Sequence, residues 1–364
     1  MADTRGATYE AIDPHANGPD AIGRAFENQV AYCRDNGAPI TAAVCQGLLE
    51  LIGVERGGAV MRRVRGWQGA PLADALPLRV AGGLHALHLQ DEETALAPLY
   101  AGRRVSNVAE LLADVLERRE AFLLPWLDGP PQTNEAGRSW AYAAAMLWLA
   151  DRGLPDRFAL YELGSSAGIN LMTARYGYHL GGVRCGALEP VIELSPEWRG
   201  PPPPDRTFRI VSARGCDVSP VDLTDDAQAL RLKAYVWPDA VQRFARMEAA
   251  IAAAHDNPPA IVRLNAADFV EQVLAAPAER GVTRLIAHSV MWQYVAVEEK
   301  ARIEALMTEA GRKADAKAPF AWVSLEANRN THRHELRVRY WPGGEGWTCL
   351  ATAHPHGEWV EWVA

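Results

Sequence analysis

The stretch FALYELGSSAGINLMTAR, Phe158 to Arg175, constrains this chain more than any other. Phe158-Ala159-Leu160-Tyr161 is a short apolar run of the kind that forms a buried strand. A run of small residues follows, Gly164-Ser165-Ser166-Ala167-Gly168, with Glu162 just before it. Ile169, Leu171 and Met172 then alternate with polar residues at a spacing that predicts a helix. Bulk is excluded from such a turn because the backbone must reverse sharply and let a ligand lie against its N–H groups. A helix N-terminus with free amides suits an anion or the polar edge of a ligand. An ordinary strand-to-helix turn, kept small for packing, would use the same residues.

The 364 residues are enough for a large core and for two structural units. Hydrophobic residues make up 49% and charged residues 23%, which is the balance of a globular protein. The formal net charge of -8 argues against a general nucleic-acid binder. The 5 cysteines are scattered and form no CxxC pair, so neither a zinc site nor a disulfide framework is expected. The first residues carry no signal-peptide apolar run, and no stretch of about 20 apolar residues is present to span a membrane. A cytoplasmic setting is the default expectation.

Residues 1–18 read as disordered. Residues 19–154 read as a helical unit that covers a substrate. Its predicted helices start at Asp20, Pro39, Leu76, Ser106 and Ser139, with Asp20 and Ser106 as caps. His85 and His88 share a face of the Leu76 helix; they are a ligand pair or, more simply, core histidines. In DGPPQTNEAGR, Thr133 or Asn134 suits an N-cap with Glu135 on the first turn. The alternative is that Thr133, Asn134 and Glu135 form one wall of a pocket above Gly164.

From residue 155 the pattern is α/β. Strands are expected at Phe158, Thr207–Ser212, Ala260–Leu264, Thr283–Val290 and Phe320–Leu325. Residues 177–206 read as a β-rich, proline-rich insertion, a candidate lid. Glu335–Trp341 and Trp347–Ala353 read as a terminal antiparallel hairpin. The fold class is therefore α/β: a doubly wound, mostly parallel, Rossmann-like sheet plus an N-terminal all-helical unit. An acid after the second strand of such a sheet binds ribose hydroxyls, which suits Asp217, with Glu189 as competitor. Asp268 suits a cap for the following helix. Ligands sit beyond the carboxyl ends of the strands, where His288, Trp292, Gln293, Tyr294, Glu326 and Arg329 stand. His354 and His356 could hold a metal, but a polar turn explains them more simply.

The order strand, E-x-G-x-x-x-G, helix resembles motif I of class I S-adenosylmethionine (SAM) dependent methyltransferases, usually E/D-x-G-x-G-x-G, with Ser166 in place of the middle glycine. A narrower resemblance covers nearly the whole chain. QTNEAGR, LYELGSSAGINLMTARYGY, RGCDVSPVDLTD, YVWPD and HSVMWQY resemble a largely bacterial family, domain of unknown function 2332, regarded as methyltransferase-like. The resemblance implies a seven-stranded methyltransferase sheet over residues 155–364, with SAM as cofactor and S-adenosylhomocysteine as product. It implies that Glu162, Gly164, Ser165, Ser166 and Gly168 hold the cofactor, with Asp217 on the ribose and Asp268 and Phe269 at the adenine. His288 is then the candidate general base and Glu326 the second. Thr133, Asn134, Glu135, Trp292, Gln293, Tyr294 and Arg329 would shape a small-molecule acceptor site. No metal, nucleic acid or membrane partner is implied, and the oligomeric state is open. The alternative is a non-catalytic SAM- or nucleotide-binding sensor or interaction protein, because no acceptor motif such as N/D-P-P-Y follows the fourth strand. A nicotinamide-dependent oxidoreductase fits less well, given the terminal hairpin.

Overall fold

The computed structural model describes residues 13–331 and 333–364; the first twelve residues of the stretch expected to be disordered lie outside them. Two compact units divide the chain. One holds residues through Thr133 together with Asp226–Ala245, the other Asn134–Asp225 together with Arg246–Ala364. Among the described residues no helix is long and apolar enough to cross a membrane.

The first unit is built on helices Pro19–Asp35, Pro39–Glu50, Gly58–Arg65, Leu76–Leu89 and Val108–Arg118. Their apolar stripes, among them Phe26, Leu48, Met61, Leu84 and Leu112, meet in one core. Two caps differ from expectation. The first helix opens at Pro19 with Asp20 in its first turn, and Asn107 rather than Ser106 caps Val108–Arg118 by accepting from Glu110 N. The second helix has no cap of its own. Asp239 supplies one from far along the chain, accepting from Ile40 N at 2.8 Å, Thr41 N at 3.0 Å and Thr41 Oγ1 at 2.7 Å. His85 Nδ1 donates to Ala234 O at 3.0 Å. These bonds bind residues 226–245 to the helices. His85 is buried, stacks on Tyr100, and is pushed down to about 4 by that burial. Among the described residues no group of three His, Cys, Asp or Glu could hold a metal ion.

The unit boundary falls at Thr133, not at 154. Helix Ser139–Asp151 is apolar all round and buried from Ser139 to Leu149, so it cannot face solvent and packs on the strands of the second unit. Those strands are β1 (Arg157–Leu163), β2 (Tyr176–Leu180), β3 (Val183–Gly186), β4 (Ile192–Leu194), β5 (Glu197–Arg199) and β6 (Arg209–Asp217). They continue with β7 (Ile261–Arg263), β8 (Thr283–Ser289), β9 (Phe320–Asn328), β10 (Arg333–Trp341), β11 (Gly344–Ala353) and β12 (Trp359–Trp362).

One sheet has the order β5-β12-β11-β10-β9-β8-β1-β6-β7. Its parallel part is β7-β6-β1-β8-β9, and β9 to β12 are antiparallel neighbours. The sheet has nine strands where seven were expected, because the chain returns after Ala353 as β12 and β5 from the insertion pairs with it in parallel. Those additions cover backbone that β11 would otherwise leave bare. The winding runs outward from β1 to β6 and β7, then crosses to β8 and β9, so its direction reverses between β1 and β8. Helices Ala266–Ala275 and Val297–Lys313 cover one face through Phe269, Val270, Ile303 and Met307.

The helix expected after the glycine turn is instead a seven-residue 3-10 helix, Ile169–Arg175, running into a three-stranded sheet of order β3-β2-β4. Side-chain donors explain this. Tyr176 Oη donates to Ile169 O at 2.7 Å, and Thr173 Oγ1 to Asn170 O at 2.5 Å. They take carbonyls that a continuing α-helix would give to backbone N–H groups.

β1 and β6 approach closely at Gly215. A Cβ there would run into Ser165 Oγ and lie 2.9 Å from Ser165 Cβ and 3.0 Å from Leu171 Cδ1. Gly215→Ala should therefore lower the unfolding free energy by roughly 1–3 kcal/mol in urea titration, the range of an overpacked core.

Candidate functional site

β1 ends in Glu162-Leu163 and turns at Gly164; β8 ends in His288-Ser289 and turns at Val290. Leu163 lies beside His288 in the parallel register. Side chains alternate along a strand, so Leu163 and His288 share one face of the sheet and Glu162 points to the other. The carboxyl edge is strained here. Ser166 and Val290 both have φ 53°, left-handed values that a β-branched valine rarely adopts.

The turn spends its amides on the chain itself. Ser165 N donates to Cys216 O at 2.9 Å, Ser166 N to Asp217 Oδ2 at 2.8 Å and Gly168 N to Ser165 O at 2.7 Å. Ile169 N donates to Asn134 Oδ1 at 2.9 Å. The free amides that the sequence suggests are therefore bonded at these four positions. Gly164 and Gly168 have φ 65° and 71°, and neighbours crowd them: a Cβ would lie 2.9 Å from Met291 Cβ or 2.7 Å from Pro259 Cβ respectively.

The expected ribose and adenine ligands are placed differently from one another. Asp217 stands at the end of β6, and its second oxygen accepts from Ser219 N at 2.8 Å. Both its oxygens thus brace backbone. Asp268 is not the cap of its helix: Asn265 is, accepting from Asp268 N at 2.9 Å. The Asp268 carboxylate pairs with Arg302 at 2.6 Å on the surface. Phe269 is fully buried against Tyr161, so its ring has no free face for a ligand there. Glu189 is exposed between β3 and β4.

Glu162 is only 1% exposed and sits in a polar cell. Tyr142 Oη donates to Glu162 Oε1 at 2.9 Å, and Ser139 Oγ to Asn170 Oδ1 at 2.7 Å. Glu135 accepts from Gly137 N, capping a short 3-10 turn, and meets Arg246 at 3.4 Å. Arg138 Nε donates to Pro355 O at 2.9 Å. Three buried polar atoms in and beside the turn have no hydrogen-bond partner among the described residues: Glu162 Oε2, Ser166 Oγ and Asn170 Nδ2. Burial pushes Glu162 up to about 8, against the smaller downward pull of the Tyr142 hydroxyl and of the Arg138 charge.

On the opposite face His288 Nδ1 lies 2.8 Å from Glu326 Oε1, which also accepts from Met291 N at 3.1 Å. An acceptor at Nδ1 keeps the proton there and leaves the lone pair at Nε2. That Nε2 is buried and has no hydrogen-bond partner among the described residues. Trp292 stacks on the imidazole at 4.8 Å, Trp322 meets Trp292 at 5.9 Å, and Trp347 meets Trp322 at 4.7 Å. A cleft of about 850 Å³ opens over these rings, bounded further by Arg329, Glu335 and Arg337.

The structure thus brings His288, Glu326, Trp292 and Arg329 to one cleft, and Glu162, Ser166 and Asn134 to the polar cell. Gln293 and Tyr294 turn outward, with Tyr294 80% exposed, and do not line the cleft. Thr133 is exposed in the first unit, while Asn134 and Glu135 are buried in the second. Tyr142, Asn170, Met291, Trp322 and Trp347 escape the sequence reading. Asn170 alone had a signal, as a polar residue inside the apolar stretch after the turn.

Glu162 gives a sign to the pH dependence. Its value in the fold, about 8, lies above the ordinary 4.5, so between those values the folded state keeps a proton that the unfolded chain has released. The stabilising contribution is whole below the lower value and is lost as pH rises through the upper one. Glu162→Gln should remove that loss. Urea unfolding from about pH 5 to about pH 8 should show the variant gaining steadily on the parent. A difference independent of pH would refute the assignment.

Comparison with known proteins adds one finding. The family described as "Uncharacterized protein conserved in bacteria (DUF2332)" matches residues 23–362. No curated protein and no solved structure matches the chain. With the match running through both units, the glycine turn and the His288 cleft, the chain belongs to this DUF2332 family.

Proposed function

We propose that this chain is a SAM-dependent methyltransferase in which the glycine turn takes the donor and His288 is the general base toward the acceptor. One observation carries the reading. A histidine on β8, paired with a carboxylate on β9, stands directly beside the end of β1, at the point where the winding reverses, one strand spacing of about 4.8 Å from it. The three unsatisfied atoms of the turn fit the amino-acid end of such a donor: Glu162 Oε2 would accept from its ammonium, and Asn170 Nδ2 and Ser166 Oγ would donate to its carboxylate. SAM, when bound, supplies an electrophilic methyl group. The chain's own residues do the rest. His288 Nε2 accepts the acceptor's proton, Glu326 holds the imidazole and stabilises its charged form, and Trp292 shields the pair from water. Met291, packed against Gly164, would give way through its flexible side chain.

The second reading, a non-catalytic ligand-binding protein, is favoured by the internally bonded turn amides and by Met291 over Gly164. Calorimetric titration separates the two and tests the donor. SAM and S-adenosylhomocysteine should bind and NAD should not. Burial raises Glu162 toward its protonated form, so capture of an ammonium there should expel a proton, and the heat should differ between Tris and phosphate buffers. Absence of binding by both adenosyl ligands would end the methyltransferase reading. If they bind, His288→Gln should leave their affinity unchanged and lower turnover of a methylated acceptor by about 10²–10⁴-fold. Adenosyl binding with unaltered turnover in that variant would instead leave His288 without a catalytic role.

A further inference from the structure

We infer that the cleft over His288 accepts a cationic amine, whose ammonium lies against the tryptophan faces and Glu326. The inference rests on His288 as the base of the proposed reaction, and it names the acceptor class of that site. Charge decides it. The cleft is bordered by three carboxylates, Glu304, Glu326 and Glu335, and by two guanidiniums, Arg329 and Arg337. Arg337 is committed, with Nε donating to Glu335 Oε2 at 2.7 Å. Glu335 Oε1 accepts from Asn328 Nδ2, also at 2.7 Å. Glu326 spends Oε1 on His288 and Met291, and among the described residues its Oε2 makes no hydrogen bond. Glu304 forms no ion pair among them either. Among the described residues Arg329 is the one cation of the border with no ion pair, and it is exposed on the turn after β9. The inner end of the cleft therefore holds negative charge without a matching cation.

The rings point the same way. An aromatic face carries negative quadrupole charge and attracts a cation lying within about 6 Å. Trp347 already takes one in this chain, since Arg339 lies 5.7 Å from its ring centre. Trp292 gives one face to the imidazole and meets Trp322 edge to face, while Trp347, 40% exposed, keeps ring surface open to the cleft. An anionic ligand of the same size would meet Glu326 and Glu335 instead.

The dyad has work to do on such a ligand. An ammonium has no lone pair and must lose a proton before it can act as a nucleophile. That proton passes from the ligand nitrogen to His288 Nε2. The freed pair forms the N–C bond to the methyl group, the electrons of the broken S–C bond stay on the donor's sulfur as a neutral thioether, and the imidazole proton leaves to water.

The test compares three probes of one shape by calorimetry on the full chain at neutral pH, without donor: 2-phenylethylamine, 2-phenylethanol and 3-phenylpropionate. The amine should bind saturably, with the alcohol and the carboxylate at least about tenfold weaker. Glu326→Gln, whose amide oxygen can still accept from Met291 N, and Trp347→Ala should each weaken the amine about tenfold while the far-ultraviolet dichroism stays unchanged. Equal or tighter binding of the alcohol or carboxylate, an amine insensitive to both substitutions, or no binding of any probe would overturn the inference. No donor is present, so a failure here leaves the SAM titration standing, and the reverse also holds.

Discussion

The carboxylate of Asp217 joins the end of β6 to the turn that follows β1, and the conformation of that turn depends on the contact. Ser166 is left-handed without being glycine, a conformation a serine leaves readily unless it is held. Asp217 holds it by its N–H, with the other oxygen fixing Ser219 on its own strand end. Asn134 then takes the buried amide of Ile169. With the turn pinned at both ends, Glu162 is delivered into the polar cell and Asn170 beside it. A chain that satisfies its own turn so fully still leaves three polar atoms of that turn unpaired, and the contrast is what gives the location its chemical interest.

The register of β1 against β8 then sorts the chemistry by face. Glu162, Tyr142 and Asn170 lie on one side, where helix Ser139–Asp151 excludes water and a carboxyl keeps its proton near neutrality. His288 and Glu326 lie on the other, His288 buried against the Trp292 ring and Glu326 at the border of the cleft. The two sets approach each other only at the carboxyl edge, around Gly164 and Met291. Two buried polar sites are thus held one backbone apart, by nothing more than the alternation of side chains along a strand.

Much of this was legible in residues alone, and the limits are physical. The buried strands at Phe158, Thr283 and Phe320 show as apolar runs, because a strand covered on both faces has no polar period. Glu162, His288 and Glu326 stand out because each closes such a run. Their pairing does not, since His288 and Glu326 are neighbours only through parallel register. Periodicity also could not separate an α-helix from the 3-10 helix after the turn; the hydroxyls of Thr173 and Tyr176 decide that. Asn265 and Asp268 are both good caps, and only the backbone geometry chooses between them. Trp322 and Trp347 read as core residues from any local pattern. The share of residues 226–245 in the helical unit rests on Asp239, whose partners lie near the other end of the chain.

That last feature has a bearing on how the chain is made. The helical unit begins the sequence yet closes only with a segment that follows β6. On the ribosome, domains generally fold as units from the N-terminal end as they emerge. Here the first helices must wait, with the Pro39 helix uncapped and Ala234 not yet in place, while the glycine turn and the small sheet are synthesised between them. The first half of the chain is therefore a nascent intermediate rather than a finished domain, and a gene cut between the two halves would not separate two independently folding products.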